Sequence, residues 1–167
     1  MVLLVLAMFV GISFGISEEE VRRDLDYMKS VEKSLNSMDR ELAKGSLSRD
    51  RIGELNSYGY PLNSLRDKYA SLEGEKYRRI SERADSLYKK VLYIKRGVFP
   101  GLLTKEAREL NLPLCKAVAK GKDRKTLLIV LEDPKDEEVV LKLMTQTQLQ
   151  FAHLIGIEAI NFEKCKH

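Results

Sequence analysis

The sequence predicts an α+β chain in three parts: an apolar N-terminal segment, two long heptad-patterned helices, and a small αββαβ domain. Three observations predict it. The first 17 residues carry no charged side chain, and three glutamates follow at once. Apolar residues then recur in a 3,4 rhythm over two long stretches, the seam of a coiled coil or helical bundle. Finally, all seven tyrosines lie between Tyr27 and Tyr93, and the texture changes near Gly97–Gly101, which marks a boundary. The parts are residues 1–17, 18–99 and 100–167.

Residues 1–17 read as a signal peptide or a membrane anchor. A spanning helix needs about 17 to 25 mostly apolar residues, so this segment sits at the lower edge. Ser13 and Gly15 place small residues at −3 and −1 before Ile16, as a signal peptidase requires. No Lys or Arg precedes the apolar run and Glu18, Glu19 and Glu20 follow it, so the remainder is expected on the non-cytoplasmic side. The chain is then single-pass in an inner membrane, or periplasmic or secreted once cleaved.

The first rod follows. Ser17, with Glu20 three residues on, resembles a capping box, and Gly45 is a stop, which predicts a helix over 17–44. Its seam is Met28, Val31, Leu35, Met38 and Leu42. A second seam runs through Tyr77, Ile80, Ala84, Leu87, Val91, Ile94 and Val98, with weaker periodicity back to Leu65. At 1.5 Å per residue the rods are roughly 40 and 50 Å long. Between them "GSLSRDRIGELNSYGYP" reads as a connector with a short helix at 48–55. It either folds the rods into a hairpin or joins them end to end. A narrow seam flanked by charge needs a partner surface, which marks Leu87, Val91 and Ile94 as interaction residues. Packing of the rods onto the C-terminal domain is the alternative.

Beyond Pro100, Thr104 is placed to cap a short helix, "TKEARELN", that ends before Pro113. "LPLCKAVAK" alternates as a strand with one wetter face. "GKDRK" is a turn. "TLLIVLED" is a continuous apolar run of strand length and reads as the central strand. Asp133 and Pro134 start a helix that runs to about Ile155, with Gly156 as its C′ glycine. Val140, Met144 and Phe151 form its main stripe. Leu149 lies off that stripe and hints at a second contact surface. "IEAINFEKC" is the last strand.

Charged residues are 32% of the chain and aromatics 7%, which suits solvated helices better than one large core. With 29 basic and 25 acidic groups the balance is too even for a dedicated polyanion binder. The basic turn "KAVAKGKDRK" reads as a solvated turn, with a nucleic-acid hairpin as the less favoured alternative, because stacking aromatics and RNA-binding signatures are lacking. Cys115 and Cys165 either form one bridge across a loop of about 50 residues or remain free thiols, a choice that sequence leaves open. Neither these cysteines nor His153 and His167 match a standard zinc spacing, and Cys115 with His153 lacks an orienting third group. No phosphate loop or glycine fingerprint occurs. Catalytic residues, metal and cofactor are therefore expected to be absent.

The helix "LTKEARELNLP" leading into a strand, the strand "TLLIVLED" running into a long helix, and the returning strand "IGIEAINFEK" together give a resemblance. An exported chain of this layout resembles the inner-membrane assembly proteins of type IV pili and type II secretion, the PilO and GspM type. The resemblance implies a ferredoxin-like domain built from αββ units, and a scaffold that dimerises or binds sister subunits. The chain departs from that pattern in having no basic tail before its apolar run and no final strand to the last αββ unit.

Overall fold

A computed structural model describes residues 16–144 and 146–166 of the chain. The proposed leader 1–17 lies outside the described residues except for Ile16 and Ser17. No helix among the described residues is long and apolar enough to cross a membrane. The fold is α+β, mostly helical, with one three-stranded sheet near the C-terminus.

Helix α1 (Glu18–Ala43) starts where the Ser17 hydroxyl accepts the Glu20 amide at 3.1 Å. That is half of a capping box. The Glu20 carboxylate pairs with Lys68 instead, at 2.7 Å. Val21, Met28, Val31, Leu35 and Met38 are buried along one stripe, as the 3,4 spacing predicts.

The connector is itself helical. α2 (Arg49–Ser57) is capped by Ser48, whose hydroxyl accepts the Arg51 amide at 3.2 Å. α3 (Gly59–Ala70) follows, with Pro61 in its first turn, where a missing N–H costs nothing. Both run back along α1. Lys68 meets Glu20 and Asp24 near the start of α1, while Arg51 meets Glu41 near its end. The second rod, α4 (Glu75–Glu109), then runs parallel to α1, with Arg83 on Glu32 and Lys90 on Asn36. The result is an up-down-up three-helix bundle, neither a two-helix hairpin nor an end-to-end rod.

This arrangement supplies the partner that each seam needs. Leu55, Leu62, Leu65 and Tyr69 from the returning helices fill the space between Met28, Leu35 and Met38 of α1 and Leu87, Val91 and Ile94 of α4. Burying a side chain of this size contributes about 1.5–3 kcal/mol. Leu87, Val91 and Ile94, expected to meet another chain, are thus interior residues of this one.

The helix expected to begin at Thr104 does not begin there. α4 continues through Gly97, Pro100 and Gly101 to Glu109, and the Thr104 hydroxyl donates to the Pro100 carbonyl at 2.7 Å. A proline inside a helix removes one backbone hydrogen bond and costs about 3 kcal/mol. Phe99 and Leu103 offset that cost, because continuation of the helix carries both into the second core. The two clusters divide between Val98 and Phe99 on this single helix. α4 ends in a Schellman motif: Asn111 takes φ 55°, and the Leu112 amide donates to the Ala107 carbonyl at 2.9 Å.

Strand β1 (Leu114–Lys120) pairs antiparallel with β2 (Thr126–Leu131), which pairs parallel with β3 (Ala159–Lys164). The order β1-β2-β3 makes the apolar run the central strand, buried from Leu127 to Leu131. In the split βαβ of a ferredoxin-like sheet another strand stands between the parallel pair. Here β2 and β3 are direct neighbours, with Leu128 facing Asn161.

The single helix expected from Pro134 to Ile155 is in pieces. Asp133 caps a 3₁₀ turn (Pro134–Asp136), then come α5 (Glu137–Leu143) and α6 (Gln146–Leu154). At Met144 the backbone takes ψ 95°, which stops the helical ladder while the side chain stays in the core. α6 also closes in a Schellman motif: Gly156 has φ 96°, and the Ile157 amide donates to the Ala152 carbonyl at 2.9 Å. Ala152 and Ile157 are both buried, the apolar contact that accompanies this cap.

Candidate docking groove

Between the bundle and the sheet lies a groove of about 710 Å³. One wall comes from the end of α1, the following loop and the start of α2, with Leu42, Leu47, Arg49 and Ile52. A second comes from α4, with Val98, Leu102 and Lys105. The third is β1, through Ala117, Val118 and Ala119. Side chains alternate across a strand, so three consecutive residues lining one groove mean that it meets β1 along its edge rather than over a face. Among the described residues β1 pairs only with β2, and no turn or loop backbone hydrogen bond reaches Ala117–Ala119, so the outward edge is unpaired.

Two arginines position the groove: Arg124, from the turn predicted to be solvated, and Arg96, which no sequence pattern marks. Arg124 has φ 54° and points inward. Its guanidinium lies 4.0 Å from the Tyr93 ring centroid, donates to the Tyr93 carbonyl at 3.2 Å and sits 3.7 Å from Asp39. It passes so close to α4 that a Cβ on Gly97 would stand 2.6 Å from Nη1 and 2.5 Å from Leu42 Cδ2. Gly97 is therefore the residue that lets the β1–β2 turn lie on the bundle. Arg96, on the next face of α4, is buried. Its Nε donates to the Asp123 carbonyl at 3.0 Å and its Nη1 to the Ile155 carbonyl at 2.8 Å. Burial pushes the Arg96 guanidinium below its ordinary range. Its two carbonyl acceptors keep it hydrogen-bonded.

The walls are apolar and, among the described residues, every charged side chain lining the groove is a cation: Arg49, Lys105 and Arg124. Arg124 is engaged with Asp39, whereas Arg49 and Lys105 have no ion-pair partner among the described residues. Lys116 and Lys120 on β1 are exposed and extend the positive field. By contrast, a depression of about 620 Å³ at the far end of the bundle is lined by charges of both signs, Glu75, Arg78 and Glu82.

The residues expected to form an interaction surface do not gather in one place. Leu87, Val91 and Ile94 are inside the bundle. Val140 and Met144 are buried against the sheet, and Leu149 is half-buried beside them. Phe151 alone is exposed, at 40%, and its ring packs 5.8 Å from that of Phe99. An apolar stripe reports that a face is buried and does not report what buries it. Leu102, exposed at 44%, had no periodic signal of its own.

Cys115 and Cys165 are joined in a disulfide, Cα atoms 6.4 Å apart. A bulge where Leu114 and Lys116 take successive partners on β2 turns Cys115 toward Cys165, just past β3. The bond ties the outer strands across the end of β2, where the Cys165 amide donates to the Leu131 carbonyl at 2.8 Å. With both sulfurs so engaged, Cys115 holds no thiol for the exposed His153 to activate.

No family model matches the chain, and no solved structure matches it. An uncharacterized protein of Aquifex aeolicus (strain VF5) is 30% identical over 166 residues, which cover 98% of this chain and 96% of the relative. That span takes in the bundle, the shared helix and the sheet alike, so the chain belongs to one family with this Aquifex protein.

Proposed function

We propose that the chain is a non-enzymatic scaffold, held at a membrane or exported by residues 1–17, that docks another polypeptide in the groove beside β1. The observation that carries this reading is the open strand edge set between apolar walls. An unpaired edge is a template for another strand, and apolar flanks supply the affinity that backbone pairing alone lacks. The disulfide supports an oxidising, non-cytoplasmic location, where such bonds persist. The likeness to pilus and secretion assembly proteins suggests a sister subunit or a second copy as the partner.

The test places a photo-crosslinking residue at Leu102, on the groove, or at Tyr60, exposed at 84% on α3. In native cells the Leu102 position should yield a discrete adduct with one polypeptide and the Tyr60 position none. Equal labelling from both, or none from Leu102, counts against the reading. Protease protection on intact cells, with the mass of the mature chain, reports compartment and cleavage.

A further inference from the structure

We infer that the polypeptide taken up in the groove is an acidic extended segment, which adds to the outer edge of β1 as a fourth strand. This inference rests on the reading of the groove as a protein-docking site and specifies its ligand. Three features select the ligand. The edge-on approach to Ala117–Ala119 selects an extended backbone, because only a strand matches unpaired N–H and C=O groups at the strand repeat. The apolar walls, Leu47 and Ile52 on one side and Val98 and Leu102 on the other, select apolar side chains at alternate positions. The charges select sign. Among the described residues, Arg49 and Lys105 flank the groove without ion-pair partners, Lys116 and Lys120 stand exposed on β1, and no carboxylate lines the groove.

The same charges argue against self-pairing. Two β1 edges brought together would set Lys116 and Lys120 of one copy against those of the other, and like charges across a strand pair are unfavourable. An acidic strand meets them with opposite sign. Carboxylates at alternate positions would reach Arg49 and Lys105 while the intervening apolar side chains face the walls. Such pairs at a partly exposed rim add specificity and speed of association more than affinity.

The experiment titrates the full chain in neutral detergent micelles with a capped heptapeptide of alternating Glu and Val, and with the same peptide carrying Lys for Glu. Two-dimensional NMR and amide exchange follow Lys116–Lys120. The acidic peptide should shift these resonances, slow exchange at alternate amides of β1 and bind at least about ten-fold more tightly than the basic one, since two opposed charge pairs change sign. The double variant Arg49→Glu/Lys105→Glu should lose that preference, and Leu102→Ser, which removes an apolar contact without adding charge, should weaken both peptides. Both variants alter exposed or rim positions, and circular dichroism checks that they fold. Binding without protection of alternate amides overturns strand addition. No preference for the acidic peptide overturns the charge assignment, as does the same β1 protection appearing with protein concentration alone, which identifies a second copy. Loss of the peptide effect while Leu102 still cross-links to a partner sinks this inference and leaves the docking reading standing. Loss of both sinks both.

Discussion

The Nη1 atom of Arg96 lies 2.7 Å from the place a Cβ on Gly156 would occupy, and the same nitrogen donates to the Ile155 carbonyl at 2.8 Å. A side chain at residue 156 and the guanidinium of Arg96 cannot both be accommodated. Gly156 also has φ 96°, where L residues are strained. Gly156→Ala is therefore expected to destabilise the chain by roughly 2–3 kcal/mol, combining backbone strain with a displaced buried hydrogen bond. Urea unfolding measures it. A change within about 0.5 kcal/mol would mean that Arg96 can leave Ile155 freely.

Gly97 sets two opposed effects against each other. Alanine there gains up to about 1 kcal/mol of helix propensity. It also places a methyl against Leu42 and the Arg124 guanidinium, and overpacking costs about 1–3 kcal/mol. Steric cost should prevail, so Gly97→Ala is expected to be neutral to about 2 kcal/mol destabilising, with the Tyr93 ring resonances shifted in NMR spectra as Arg124 leaves the ring. A more stable protein with unchanged Tyr93 ring resonances contradicts the arrangement.

The disulfide should contribute measurably. Cys115 and Cys165 are 50 residues apart, and closing a loop of that length is worth on the order of 4 kcal/mol in the chain-entropy model. The Cys115→Ser/Cys165→Ser variant should lose most of that in chemical denaturation, and non-reducing peptide mapping of the native chain should recover the two cysteines in one linked fragment.

Residues of the seams should behave as core. Ile94→Ala removes a fully buried side chain and is expected to cost about 2–5 kcal/mol, with no selective loss of partner cross-linking at matched folded fraction. A stable variant that loses only association would return Ile94 to an interface.

Stability should fall at both ends of the pH scale. Burial, and the hydrogen bond to Asp24 at 2.6 Å, hold the Tyr69 phenol well above its ordinary value of 10.0. The unfolded chain releases that proton first, so the stability linked to Tyr69 is whole below about pH 10 and is lost as pH rises toward the native value. Tyr69→Phe should flatten this alkaline loss while lowering stability at neutral pH by about 1–3 kcal/mol, because Asp24 loses a donor. On the acid side, the Tyr58 hydroxyl and then Arg51 hold the Glu54 carboxyl below its ordinary value of 4.5 despite partial burial. Its contribution is present above that value and disappears as pH falls through the lowered native one. Denaturation midpoints across pH 3–11 test both limbs.

The regular parts of this architecture were legible wherever one physical rule acted alone. Met28, Val31, Leu35 and Met38 are buried because their spacing leaves no other face for the core. Ser17 caps because its hydroxyl is the nearest acceptor for an orphan amide. The apolar run 127–131 became the central strand because it needs cover on both faces. Failures came where two rules competed. Gly97, Pro100 and Gly101 are poor helix residues, yet packing of Phe99 and Leu103 kept the helix going. Gly53, Gly59 and Pro61 marked a loop by local chemistry, but Leu55, Leu62 and Leu65 were needed between the rods. The groove left no trace in any single segment, because its walls come from residues more than 70 positions apart.

The 35-residue helix α4 runs without interruption from one hydrophobic cluster into the other. Bundle and sheet therefore share one helical axle in place of a loose tether, and a change in the pitch of this helix at one end would turn what is fixed to the other.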